Sequence, residues 1–264
     1  MANGLIILRA DQDWARTATY SATSEQTGYE AAKAGTDDPS EPWWADATSA
    51  TLTVTLSGTK SVDTVALIMT NAGDGTVIEV EGFGSPTESL IGAREPSGYP
   101  RDLLLLRDSP ASISQLRFHI VGNIYKWSIG RVVIGLRDQL PENLLLGVKF
   151  TPYRQQYSDE YPDFRHDIRY DIGVEGWHGE GEIISPRPDA NTSPLETAQA
   201  QLDGIWSSTK GGFLPTLFVP EPTVYPPMWG RFAMSLPRSH SDAPDITRTR
   251  LSFTPMSRGR EVVG

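Results

Sequence analysis

The chain has 264 residues, no cysteine, and 33 acidic against 23 basic side chains, for a formal charge of −10. That balance argues against a nucleic-acid grip or an anionic-membrane grip through a basic patch, and the missing thiols exclude disulfides and thiolate metal sites. With 38% hydrophobic and 21% charged residues it is globular in composition, and 20 prolines and 24 glycines suit many short strands joined by turns. The length is enough for two ordinary domains. The longest apolar runs, such as Leu103–Leu106, are too short to span a bilayer as a helix. The start MANGLIILRADQDW lacks a basic head and a long apolar stretch, so no signal peptide is expected.

In chain order, Gly4–Leu8 is a short apolar strand, and Ser21–Pro42 is polar and loop-like, with a turn at Asp37-Asp38-Pro39. Trp43-Trp44 leads into Thr51–Glu81, the stretch on which the first half is built. Leu52, Val54 and Leu56 alternate with Thr51, Thr53 and Thr55, which puts the two sets on opposite sheet faces. Ser57–Lys60 reads as a polar turn, and Val62–Thr70 as a strand covered on both faces. Asn71-Ala-Gly-Asp-Gly is turn chemistry, and Thr76–Glu81 is extended again. Strands so closely spaced leave no room for helices and predict an antiparallel β-sandwich core. After a Gly- and Pro-rich loop, Leu103–Leu106, Gln115–Val121 and Ile124–Ile134 are further strands, with Leu116, Phe118 and Ile120 on one face.

At Gly135–Asn143 the apolar run breaks into charged residues and a proline, which predicts two domains, 1–137 and 138–264, the first with an independent core. Beyond the break Val148–Phe150 is extended, and Ile168, Tyr170, Ile172 and Val174 alternate with polar residues. Gly176–Glu182 is glycine-rich enough to bend the sheet. One helix is predicted, Pro194–Thr209. Ser193 and Glu196 form a capping box, Leu195, Ala198, Leu202, Ile205 and Trp206 share a face, and Lys210 with Gly211-Gly212 ends it. Strands follow at Phe213–Val219, Met228–Leu236 and Arg248–Phe253. The fold class is therefore mainly β: two β-sandwich domains, the second with one helix.

Few residues combine into chemistry. Ser207-Ser-Thr-Lys210 has S-x-x-K spacing, but it ends an amphipathic helix, where a lysine is an ordinary cap. Glu180 and Glu182, with His178 and His166-Asp167 nearby, hold acid–base residue types, yet alternating carboxylates on a strand share a solvent face. Ser239-His240-Ser241-Asp242 reads as a polar loop, and Asn191-Thr192-Ser193 has the glycosylation pattern with its Ser taken by the helix cap. Asp11, Asp13, Asp37, Asp38 and Asp74 are loop oxygens without the ligand order of a known calcium loop. Trp43 and Trp44 are candidate glycan contacts as a stacking platform, against the plainer reading of one core plug and one interface residue. No catalytic set, metal site or cofactor is expected, and the chain is not read as an enzyme.

The segment Asp37–Val65, through Asp38, Trp43 or Trp44, Leu52, Val54, Leu56, Gly58, Val62 and Val65, resembles the front half of a discoidin-type, galactose-binding-like sandwich of jelly-roll form. The paired cysteines common in secreted members are missing. A different resemblance covers roughly 195–255. LDGIWS from Leu202, GGFLPTLFVPEP from Gly211, MWGRFA from Met228 and Leu251-Ser-Phe253 resemble tailed-phage distal tail and tail-tip proteins. That likeness implies a tail-tube-like domain forming a homo-oligomeric ring, commonly a hexamer, between tail tube and baseplate hub proteins. It also implies a virion tail tip assembled in the host cytoplasm, with DNA only as passing cargo and no membrane insertion. Distal tail proteins usually carry the ring domain first; here the order is reversed. On this reading Glu175, Glu180 and Glu182 are candidate channel-lining residues, because an acidic wall lets phosphates pass. The alternative is a carbohydrate-binding module of a host-attachment protein, with glycan as partner.

Overall fold

In the computed structural model, residues 5–72, 76–84, 102–121, 126–140, 145–160, 166–186, 202–220, 227–240 and 246–256 are described. They are mainly β. The strands are β1 Ile6–Leu8, β2 Thr19–Ala22, β3 Trp43–Trp44, β4 Thr51–Thr70, β5 Val77–Phe83, β6 Leu103–Val121, β7 Ser128–Gly135, β8 Asp138–Gln139, β9 Leu145–Glu160, β10 His166–Pro186, β11 Thr216–Val219, β12 Met228–His240 and β13 Ile246–Pro255. One α-helix, α1, covers 202–208. None of the described helices is long and apolar enough to cross a membrane.

A six-stranded antiparallel sheet runs β3-β7-β4-β6-β5, with β2 also on β4. The segment Ser57–Lys60 does not reverse the chain as the sequence suggested. It is an irregularity within one 20-residue strand, where the register with β6 shifts between Thr55 and Lys60, and Gly58 supplies φ +86°. A second shift falls between Val62 and Thr64, so Leu103–Leu106 and Gln115–Val121 are likewise two ends of β6. Such irregularities re-aim a strand. The first half of β4 pairs with β2 and the far end of β6, and the second half with β7 and the near end of β6. Leu52 and Val54 from one half share a buried core with Val65, Leu67, Val132 and Ile134 from the other. One continuous sheet thus makes both layers of a sandwich.

The doubly apolar run Val62–Thr70 has a specific cause. Val65 and Leu67 enter the sandwich core, whereas Ala66 and Ile68 enter a second core with Val133, Ile6, Leu8, Leu217, Val219 and Trp229. Alternate residues therefore serve two cores, and the sandwich is capped on its outer face by another sheet. Each aliphatic side chain fully buried this way contributes about 1.5–3 kcal/mol relative to exposure.

That other sheet has seven strands in the order β8-β1-β11-β12-β13-β10-β9. It draws its β1 from the extreme N-terminal part of the chain, with Ile6 opposite both Val219 and Gln139. The segment joining the two sheets is held as well. Leu140 N–H donates to the Leu5 carbonyl at 2.9 Å, Arg137 N–H to Asp63 Oδ1 at 3.0 Å, and Arg9 Nε lies 2.7 Å from Asp138 Oδ2. Burial pushes the Asp138 carboxyl up, with Arg9 opposing it. Sheet membership therefore crosses the sequence break at 137. A fragment 1–137 would bare Ile6, Leu8, Ala66, Ile68 and Val133 together. Expressed alone, it is expected to self-associate and bind a hydrophobic dye; a monomer with one cooperative melt would contradict this.

Only 202–208 and the C-terminal end of the predicted helix fall within the described residues; Ser193 and Glu196 lie outside them. Leu202 and Ile205 are buried as their spacing predicts. Gly211 N–H reaches the Trp206 carbonyl at 3.0 Å, and Lys210 at φ 52° takes the left-handed position that stops the helix, with Gly211 following at φ 71°.

Candidate functional site

The tryptophan platform does not exist as a pair. The short strand β3 pairs with β7, Trp43 opposite Ile129, so successive side chains must face opposite ways. Trp43 is fully buried, edge-on to Trp127 at 5.5 Å between ring centroids and 70° between planes. It cannot touch a sugar. Trp44 is half-buried and meets Tyr29 edge-on at 6.3 Å and 76°. The Gln26–Tyr29 turn holds that corner, with Gln26 N–H donating to the Trp44 carbonyl at 2.8 Å and Trp44 N–H to Tyr29 at 3.2 Å. Tyr29 went unnoticed in the sequence because it sits inside a polar stretch.

Three of the five loop carboxylates read as oxygen donors, Asp11, Asp13 and Asp37, turn out to be ion-pair partners. Asp13, one of the few buried acids, lies 2.5 Å through Oδ2 from the fully buried Arg131, while its Oδ1 accepts from Ala15 and Ile134 N–H at 3.2 Å. Arg131 also donates to the Gly35 carbonyl. Burial works against this guanidinium's charge, but Asp13 and its neighbours more than offset it, so Arg131 is held above its ordinary range. Arg16 lies 2.5 Å from Asp37 and donates to the Pro215 carbonyl at 2.6 Å. Asp38 accepts from Ser40 N–H at 2.9 Å, Asp11 sits 3.9 Å from Arg9, and Asp74 lies outside the described residues. Among the described residues no three His, Cys, Asp or Glu are grouped as a metal site.

The other candidates stay apart. The Ser207 carbonyl accepts from Lys210 N–H at 3.1 Å, a helix-end contact. Ser239 and His240 belong to β12 rather than to a loop, opposite Arg248 and Thr247, because the β12–β13 hairpin is longer than its apolar pattern. Asn191 to Ser193 lie outside the described residues. On β10, Glu175 stands opposite Arg154, Glu180 opposite Lys149 and Ser252, and Glu182 opposite Leu146 and Arg250. His166, Asp167 and His178 are on the same strand, and of all these residues only the backbone is described.

What stands out is the far end of the second sheet. β10 pairs with β13 over 179–186, but over 166–170 its partner among the described residues is β9 alone, itself the edge strand. Among the described residues, the two strands run on as a two-stranded ribbon beyond the pairing with β13. A two-stranded ribbon is marginally stable alone in water, and an unpaired edge is a template for another chain. Phe213, just before β11, is 75% exposed, with the Arg231 guanidinium 5.8 Å from its ring centroid.

No protein-family model and no curated protein matches the chain. Solved structures do. A family 32 carbohydrate-binding module of NanJ from C. perfringens, in complex with galactose, is 20% identical, with a TM-score of 0.42 over 47% of this chain and 97% of the module. The lectin-binding domain of lectinolysin complexed with Lewis b is 16% identical, with a TM-score of 0.39 over 47% of this chain and 95% of that one. A segment of SpGH29 is 15% identical, with a TM-score of 0.41 over 49% of this chain and 29% of that protein. At such identities the likeness concerns β-sandwich fold alone.

Proposed function

We propose that this protein is a structural component of a phage tail tip, a distal tail protein or baseplate adaptor that joins copies of itself into a ring through its second sheet. The observation that carries this reading is the β9–β10 ribbon, whose 166–170 stretch pairs among the described residues with β9 alone, the kind of two-stranded edge that another copy can extend. The tail-protein resemblance over roughly 195–255 falls on α1, β11, β12 and β13 of that same sheet. The acidic balance of the chain suits a wall past which DNA slides, with Glu175, Glu180 and Glu182 on β10 as contributors. A hexamer is the ring size favoured by the resemblance.

The ribbon gives the test. Removing residues 158–168 and closing the strands with Asn-Gly, a two-residue hairpin turn, should leave the melting curve of the cores intact and abolish the ring in native mass spectrometry. A shortened protein that still forms the same oligomer as the parent would refute assembly through the ribbon.

A second reading, glycan binding by the first sandwich in host attachment, rests on the Tyr29–Trp44 corner, the half-exposed aromatic pair beside β3. On that reading Trp44→Ala removes retention on a glycan array while the oligomer is unchanged. Equal retention of parent and variant, or none by either, would end it.

A further inference from the structure

Trp229 stands on β12 of the second sheet, yet groups of the first sandwich hold its indole. The Arg131 guanidinium lies 5.1 Å from the ring centroid and that of Arg16 5.5 Å, and the indole N–H donates to the Asp37 carbonyl at 3.0 Å. Two cations over one ring repel each other unless anions sit between them. Asp13 Oδ2 is 2.5 Å from Arg131 and 3.5 Å from Arg16, and the Asp37 carboxylate is 2.5 Å from Arg16 and 3.9 Å from Arg131. The cluster is therefore balanced, two guanidinium groups against two carboxylates. It takes hold of the second sheet at a second place too, since Arg16 donates to the carbonyl of Pro215, the residue before β11.

The four charged parts come from three separated stretches of chain. Asp13 and Arg16 stand on the short 3₁₀ turns after β1, Asp37 follows the turn Ala31–Gly35, and Arg131 is on β7. The first of these stretches is seated closely, because a Cβ at Gly135 would overlap the carbonyl of Gln12. An apolar contact between two units permits sliding, and relative motion is the default for units joined by a modest interface. A cluster of opposite charges centred on the buried Asp13–Arg131 pair favours one register, since a shift pulls these charges away from their partners.

We propose that the Asp13–Arg131–Arg16–Asp37 cluster around Trp229 is a conformational lock that fixes the first sandwich on the second sheet, so that the protein moves as one rigid body. This holds whichever ligand or assembly the protein serves. It makes the first sandwich an integral part with a set orientation rather than a tethered module.

The chain has no cysteine, so spin labels can be placed cleanly at Thr55→Cys on the exposed face of β4 and Ser207→Cys on the exposed side of α1. Labelled protein is diluted into unlabelled protein, so that only distances within one chain are read. The full-length parent should give a single narrow distance distribution. Arg16→Gln, at the rim of the cluster, should lose that single maximum and broaden, while Lys126→Gln, which breaks the remote Lys126–Asp46 pair, should not. Trp229→Leu should broaden it further, and if that variant does not fold Arg16→Gln decides. A broad distribution in the parent, or an Arg16→Gln distribution that superimposes on it, would overturn the lock.

Discussion

Replacing Asp13 by Ala is expected to cost about 3–5 kcal/mol of folding stability, the range for removing one partner of a buried ion pair. The pair alone is not the reason. Its side chain is 1% exposed and that of Arg131 0%, so the truncation leaves a guanidinium with no water and no counter-ion at 2.5 Å. It also orphans the N–H groups of Ala15 and Ile134. Asp13→Asn keeps an acceptor for those two donors and removes only the charge, so its loss should be smaller. Urea unfolding of both variants reads the difference. A loss below about 1 kcal/mol for Asp13→Ala, the size of a surface pair, would mean that the cluster is wetter than the structure shows.

Trp43→Ala is expected to cost about 3–5 kcal/mol as well, here through transfer and cavity terms. Trp43 fills the sandwich core against Trp127 and opposite Ile129, in a core it shares with Leu67 and Val132, and β4 and β7 are paired on both sides, so the void cannot collapse easily. Trp44→Ala, a single residue away, removes a half-buried side chain and should cost clearly less. Equal losses at the two positions would contradict the opposite facing of their side chains.

Much of the fold was legible. The alternation of Leu52, Val54 and Leu56, the apolar run from Val62 and the helix end at Lys210-Gly211-Gly212 each reported a local rule that tertiary packing kept. The failures have physical causes. Ser57–Lys60 is polar because it is exposed, and polarity cannot distinguish a bulge inside a strand from a reversal between two. The break at 137 was visible as a change in pattern, but the pairing of Ile6–Leu8 with Thr216–Val219 joins residues over two hundred positions apart and leaves no local trace. The same holds for the buried cluster. Asp13, Arg16, Asp37 and Arg131 look like solvated charges one at a time, and only their assembly around Trp229 makes them a unit. The Trp43-Trp44 pair was conspicuous, but which ring faces the core depends on β3 pairing with β7.

Assembly of copies of this chain through the second sheet in a virion tail tip, as proposed, is tested most directly by locating the protein in a particle. Purified tails are compared by cryo-electron microscopy with tails whose copy of this chain carries the shortened β9–β10 hairpin. The parent is expected to show a closed ring of this protein at the tail tip, six copies as the resemblance implies, with the second sheet toward the channel and the first sandwich outside. The ring is expected to be missing from the shortened form. Parent particles without such a ring, with the protein absent or present as isolated copies on fibres, would contradict it.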